Sequence, residues 1–258
     1  MKPQPVASVI LPAYNRRDLI CRALASVLEQ SVREIEVLVV DDGSTDGTGD
    51  VVEAFGDSRV RLIRLDTNRG QSFARNLGVR EARAPLIAFQ DSDDEWLPEK
   101  LARQLDLFSR RPETAMVYGD LLRVPRRGEP FVLRAPDLVR GRVMDARSSG
   151  YAAYGLGIQT CLIRAEVFRR VGGFNERMFC FEDLEFFLRL NRRHTSVRIP
   201  EPLVRYHETD GVSKATVYEH EARKHLLRRF CWPIVWQRPS WFMQERDNLA
   251  HHRRLDQS

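Results

Sequence analysis

Apolar positions in the first half of the chain follow two alternating patterns. Short runs at 9–11, 35–40, 60–65 and 86–89 read as strands, those at 35–40 and 86–89 as strands buried on both faces. Pro12 closes the first of them. Between the runs, Leu19, Ile20, Ala23, Leu24, Val27 and Leu28 recur at the period of a helix. A short helix is predicted over 51–55 and a longer one over 70–83. Leu97, Leu101, Leu105 and Phe108 share one face of the next helix. Strands alternating with helices predict an α/β fold, a mostly parallel sheet covered by helices. From about Ala115 the alternation weakens, and 123–154, rich in Arg, Pro and Gly, reads as irregular chain or short edge strands. Helical spacing returns at 165–170 and 184–193. Two more helix candidates follow Tyr218, broken at Pro233 and Pro239.

Composition narrows the class. A chain of 258 residues with 43% hydrophobic residues can bury a core, which excludes wholesale disorder. No apolar run reaches the ~18 residues of a membrane span. The start, Met1-Lys2-Pro3-Gln4-Pro5, lacks the apolar segment of a secretory leader, so a cytoplasmic protein is expected. Cys21, Cys161, Cys180 and Cys231 show no paired spacing; reduced, mostly buried thiols are expected rather than disulfides or a zinc knuckle. The net charge of +5 is concentrated in 216–258, where eight Lys or Arg face five Asp or Glu.

Ligands of open parallel sheets bind beyond the carboxyl ends of the strands. Acidic residues cluster there: Asp41-Asp42 closes the run 35–40, and Asp91-Ser92-Asp93-Asp94 follows the run 86–89. Two such clusters at neighbouring strand ends repel unless a cation or a donor-rich ligand lies between them. Hard carboxylate oxygens suit Mg²⁺ or Mn²⁺, which commonly pair few protein ligands with phosphate oxygens, so a nucleotide di- or triphosphate is implied. Asp42, Ser44, Asp46, Gly47, Thr48, Asp50 and Glu53 also fit the spacing of a calcium loop. That loop lies between two helices, whereas 35–40 is β-rich.

Together these segments resemble the family 2 glycosyltransferases, which have the GT-A fold. Val9-Ile10-Leu11-Pro12-Ala13-Tyr14-Asn15 is similar to their opening strand and uracil-side loop, and Val39-Val40-Asp41-Asp42-Gly43-Ser44-Thr45-Asp46 to their nucleotide-binding turn. Asn68-Arg69-Gly70 with Ala74-Arg75-Asn76 resembles the donor-binding loop and helix. Phe89-Gln90-Asp91-Ser92-Asp93-Asp94 resembles the metal-binding motif. Gly172-Gly173-Phe174-Asn175-Glu176, then Phe181-Glu182-Asp183-Leu184-Glu185, resembles the acceptor-side segment with the catalytic base.

The resemblance implies a GT-A domain over 1–215, with a nucleotide half at about 1–120 and an acceptor half at about 121–215. A helical basic and aromatic extension would occupy 216–258. It implies that Asp42 bonds the nucleobase and that Pro12, Tyr14 and Asn15 line the same pocket. Asn68 and Arg75 would face the nucleotide, and Asp91 with Ser92 would hold the ribose or donor sugar. Asp93 would bind a divalent Mn²⁺ or Mg²⁺, with Asp94 able to share that duty and His207 as a further ligand. Asp183 would be the general base of an inverting transfer, and Glu182 would orient the acceptor. The donor would be a nucleotide-diphosphate sugar, UDP foremost, and the acceptor a glycan or a lipid-linked hydroxyl. Neither the Gln-X-X-Arg-Trp motif nor the membrane spans of processive relatives are present, which implies single additions.

Two other classes stand beside this one. A sugar-phosphate nucleotidyltransferase would carry a glycine-rich basic loop where Pro12-Ala13-Tyr14-Asn15-Arg16-Arg17 stands. A non-catalytic sugar-nucleotide-binding protein would not need Asp91, Asp93 and Asp183. In the tail, Leu226, Leu227, Phe230, Trp232, Ile234, Val235, Trp236, Trp241 and Phe242 interleave with Arg223, Lys224, Arg228, Arg229 and Arg238. Helices packed on the catalytic domain or a dimer contact is one reading. A peripheral contact with anionic headgroups at the inner face of the membrane is the other. No nucleic-acid module accompanies the charge.

Overall fold

The computed structural model describes residues 4–138, 140, 156–209 and, in the tail, 222, 225, 226 and 229. Its first half follows the apolar pattern closely. Strands β1 (Ala7–Ala13), β2 (Ile35–Asp41), β3 (Val60–Arg64) and β4 (Leu86–Phe89) pair in parallel, in the order β3-β2-β1-β4. Helices α1 (Ile20–Leu28), α2 (Thr48–Ala54) and α3 (Gln71–Glu81) join them. Side chains of a strand alternate between faces, and the two cores show it. Val9, Leu11, Val37, Val39 and Ala88 pack on one face with α1 and with Leu101 and Phe108 of α4 (Lys100–Arg110). Ile10, Leu38, Ile87 and Phe89 pack on the other. There α3 approaches so closely that a Cβ on Gly78 would stand 2.4 Å from Ile10 Cγ2.

Pro12 does not close β1, which runs on to Ala13. Ile10 carbonyl accepts from Gln90 N–H on the β4 side, and position 12 faces the same way. Since β4 is paired only as far as Ile10, the missing proline N–H costs no ladder bond there. The two acidic strand ends are likewise not neighbours: β1 lies between β2 and β4. Residues 42–47 link a strand to a helix, which removes the calcium-loop reading.

The second half departs further. Where the alternation weakens, an eleven-residue strand forms, β6 (Thr114–Val124). It pairs in parallel with β9 (Thr195–His207) and antiparallel with β7 (Phe131–Leu133) and β8 (Leu162–Arg164). β5 (Glu95–Trp96) pairs with the end of β9, so the sheet continues β4-β8-β6-β9-β5. Helices α5 (Ala165–Val171) and α6 (Glu182–Asn191) add to the second core. Leu97 lies outside its expected helix, donating its N–H to Leu203 carbonyl 2.9 Å away. Among the described thiols only Cys161 is buried, Cys21 being exposed and Cys180 intermediate; Cys231 lies outside the described residues.

Most of the tail, with its helix candidates and tryptophans, lies outside the described residues. Of the four that are described, Ala222 and Leu226 are buried and Arg229 Nε is 3.6 Å from Glu185 Oε1 of α6. No helix among the described residues is long and apolar enough to cross a membrane.

Lys100 opens α4 with no exposed surface. Its ammonium donates to Gln104 Oε1 at 3.0 Å and lies 3.8 Å from the centroid of the Trp96 ring. Burial pushes its pKa down to about 7. An unfolded lysine holds its proton to about pH 10. Between those limits the unfolded chain binds the extra proton, so stability rises with pH. Urea unfolding at pH 7, 8 and 9 should show this rise, approaching ~1.4 kcal/mol per pH unit relative to Lys100→Met. Parallel pH dependences in the two proteins would contradict it.

Candidate active site

The loops after β1 and β2 are stitched together. Asn15 N–H donates to Ser44 Oγ at 2.9 Å, and Asn15 Oδ1 accepts from Thr45 N–H at 2.9 Å. Arg16 N–H donates to Thr48 Oγ1 at 2.8 Å and Arg17 N–H to Asp46 Oδ2 at 3.0 Å. Asn15 holds a left-handed φ of 52°, which Asn adopts more readily than most residues. The result is a fixed shelf with Pro12 buried in β1 beneath it and Tyr14, 43% exposed, on its surface.

Asp42 is buried at the back of that shelf. Its two oxygens accept from Arg69 N–H and Gly70 N–H, each at 2.8 Å, so the carboxylate sets the start of α3. Burial raises its pKa, and the two backbone bonds oppose that rise. A carboxylate oxygen has two lone-pair sites, which leaves one on each for a ligand. Asn68, one residue before this clamp, is exposed.

The acidic turn 91–94 lies between β4 and β5. Asp94, 1% exposed, is fully engaged: Oδ1 accepts from His207 N–H at 3.0 Å and Oδ2 from Gln159 Nε2 at 3.0 Å. Burial, then the charges of Asp91 and Asp93, raise its pKa well above the carboxylate range. Ser92 is buried, while Asp91 and Asp93 remain partly open. His207 does not turn its ring to this turn; Nε2 lies 2.7 Å from Glu95 Oε1.

A buried guanidinium joins this turn to α6. Arg75, 3% exposed, places Nη2 2.7 Å from Asp91 Oδ1 and Nη1 2.7 Å from Glu182 Oε1. Gln71 Nε2 donates to the same Glu182 oxygen at 2.5 Å. What Arg75 and Glu182 offer a ligand is therefore indirect, through Asp91 and Asp183. Behind them, Phe186 of α6 packs 4.9 Å from Phe168 and 5.1 Å from Phe174, and Phe89 of β4 lies 5.4 Å from Phe174. Asn76 bonds both the N–H and the carbonyl of Phe174, which holds 173–176 against α3. The strand carrying the acidic turn and the helix carrying Asp183 thus share one aromatic cluster.

Asp183 stands in the first turn of α6, deep among protein atoms yet partly open to solvent. Burial and the neighbouring Glu182 charge raise its pKa to about 7, against the pull of Arg75. A carboxyl poised there can accept a proton near neutrality.

No three His, Cys, Asp or Glu side chains converge into a metal cage among the described residues. The turn nonetheless suits a hard cation. Asp94 is enclosed by its two hydrogen bonds, while Asp93, beside the like charge of Asp91, keeps an oxygen without a hydrogen bond among the described residues. A divalent ion sharing one or two carboxylates with phosphate oxygens has the same economy of protein ligands.

Gln71, Gln159, Arg22 and Thr209 all touch this site without having been singled out in the sequence. Each reaches it from a distant segment, and no local pattern marks them.

A model of the family described as "Glycosyl transferase family 2" matches residues 8–171. An Escherichia coli protein named UDP-Glc:alpha-D-GlcNAc-diphosphoundecaprenol beta-1,3-glucosyltransferase WfaP is 38% identical over 100 residues, 39% of this chain and 40% of that protein. Across the first three curated relatives the matched segments span 29–66% of their lengths. Among solved structures, S. aureus TarS 1-349 in complex with UDP-GlcNAc superposes with a TM-score of 0.72 at 22% identity, over 95% of this chain and 71% of that one. The mannosyltransferase PcManGT from Pyrobaculum calidifontis, in complex with GDP-Man and Mn2+, gives 0.63 at 21% identity, over 90% and 65%. The architecture is therefore the GT-A fold.

Removing one partner of a buried ion pair leaves an uncompensated charge. Arg75→Met should lower unfolding free energy by about 3–5 kcal/mol, and adding Glu182→Gln should restore part of it. Urea melts of the three proteins check this; an Arg75→Met variant as stable as the parent would remove the bridge from its structural role.

Proposed function

The chain belongs to the family 2 glycosyltransferases, and we propose that it moves a sugar from a nucleotide-diphosphate donor to an acceptor hydroxyl with inversion at the anomeric carbon. The observation that carries this reading is the Asp91–Arg75–Glu182 bridge, which fixes the turn of Asp183 against the acidic turn. Asp42 and the shelf of Pro12, Tyr14 and Asn15 take the nucleobase, with Asn68 beside them. The relatives named for UDP donors make UDP the first choice. Asp91, beside the buried Ser92, receives the ribose or donor sugar. A divalent Mn²⁺ or Mg²⁺ held by Asp93 would offset negative charge on the departing diphosphate. His207 joins that set only if its ring leaves Glu95.

Asp183 accepts the proton of the acceptor hydroxyl as it attacks, and the Arg75–Glu182 pair keeps that carboxylate in place. The acceptor is a glycan or a lipid-linked sugar, in keeping with the diphosphoundecaprenol-linked acceptor named for the E. coli relative. The protein then works at the inner face of the membrane.

Since Asp183 is protonated below pH ~7, log(kcat/KM) should climb about one unit per pH unit toward 7 and level off above it. Asp183→Asn should bind nucleotide normally and transfer some 10² to 10⁴ times more slowly. A variant that binds nucleotide poorly but turns over at parent speed when saturated would reassign Asp183 to the donor. Separately, EDTA and Asp93→Ala should each abolish turnover without unfolding the protein. Full activity in EDTA would remove the cation from the reading.

A further inference from the structure

Asp93 is positioned by partners that come from three separate elements. Arg22 of α1 donates Nη2–H to the Asp93 carbonyl at 2.6 Å, which fixes the backbone. Thr209, two residues beyond β9, donates its hydroxyl to Asp93 Oδ2 at 2.8 Å. Arg16, on the nucleobase shelf, brings Nη2 to 3.9 Å from the same oxygen. All the side-chain contacts fall on Oδ2. Among the described residues Oδ1 has no hydrogen bond.

The chain leading to Thr209 is itself tied down. Val124 carbonyl accepts from Glu208 N–H at 3.1 Å, and Arg123 Nε donates to Glu208 Oε1 at 2.8 Å. His207 N–H is spent on Asp94. Residues 207–209 therefore form a strap from the end of β9 across the acidic turn, with one bond to each of its last two aspartates. A strap needed only for packing would place an apolar side chain here. This one places a hydroxyl donor against a partly open carboxylate.

We infer that Thr209 is a positioning residue: it pins Oδ2 of Asp93 so that Oδ1 is presented, as a single oxygen, to the cation of the donor complex. The inference rests on the reading of Asp93 as the cation's protein ligand. Free rotation of an aspartate head would otherwise have to be frozen when the ion binds, and would let the carboxylate turn to the nearby Arg16 guanidinium instead. Thr209 performs that ordering in advance.

The test compares Thr209→Val, which keeps the shape and loses the hydroxyl, with Thr209→Ser, which keeps the hydroxyl and loses the methyl. Binding of Mn²⁺ to the full chain is followed by loss of the free-ion electron paramagnetic resonance signal, with saturating UDP and, in a parallel series, GDP. Loss of one charge-assisted hydrogen bond should weaken Mn²⁺ binding by Thr209→Val about tenfold, and Thr209→Ser should return it to near the parent value. The melting temperature of both should stay at that of the parent. Unchanged Mn²⁺ binding by Thr209→Val overturns the inference while leaving the cation reading intact. Equal impairment of both variants, with lowered melting temperature, also overturns it, because the role would then be packing alone. A parent protein that binds no Mn²⁺ with either nucleotide overturns the cation reading and this inference with it.

Discussion

Arg75 carries its charge where almost none of its surface meets solvent, and a charge so placed must be paired. Both of its arms find carboxylates, Asp91 at the end of β4 and Glu182 at the start of α6. These two groups lie 91 positions apart in the chain. The pairing therefore sets the spacing between the parallel half of the sheet and the helix bearing Asp183. The aromatic rings of Phe89, Phe168, Phe174 and Phe186 fill the space behind the bridge, so neither element can move without disturbing both charge and packing.

Around that bridge the acidic side chains find different partners. Glu182 is paired with Arg75 and hydrogen-bonded by Gln71. Asp94 is buried with both oxygens bonded, and burial, then the charges of Asp91 and Asp93, raise its pKa. Burial, then the Glu182 charge, raises the pKa of Asp183, which suits a proton acceptor. Asp93 keeps Oδ1, and Asp91 keeps Oδ2, without a hydrogen bond among the described residues. The surroundings of Asp91, Asp93, Asp94 and Asp183 thus differ in ways that four identical letters in the sequence do not distinguish.

The parallel half was legible because strands buried on both faces leave continuous apolar runs, and their carboxyl ends announce the ligand side. β6 was missed for a matching reason. It carries Gly119 and Asp120, which break the apolar signal, and the buried Asp120 finds its partners in Arg198, 78 positions later, and in Ala135 N–H. The motif order picked out Asp42, Asp91 and Asp183 but not what surrounds them. Asp42 clamps the loop 68–70, and Asp94 is enclosed by Gln159 and His207, partners a local pattern cannot supply.

In the proposed reaction Asp183, held opposite the acidic turn, drives a single displacement at the anomeric carbon. The stereochemistry of donor hydrolysis tests it without knowledge of the acceptor, because water then takes the acceptor's place. Proton NMR of the sugar first released from an α-linked UDP-sugar or GDP-sugar, whichever the protein binds, reports the anomer before mutarotation. A single displacement predicts the β-anomer first; early release of the α-anomer would contradict the account.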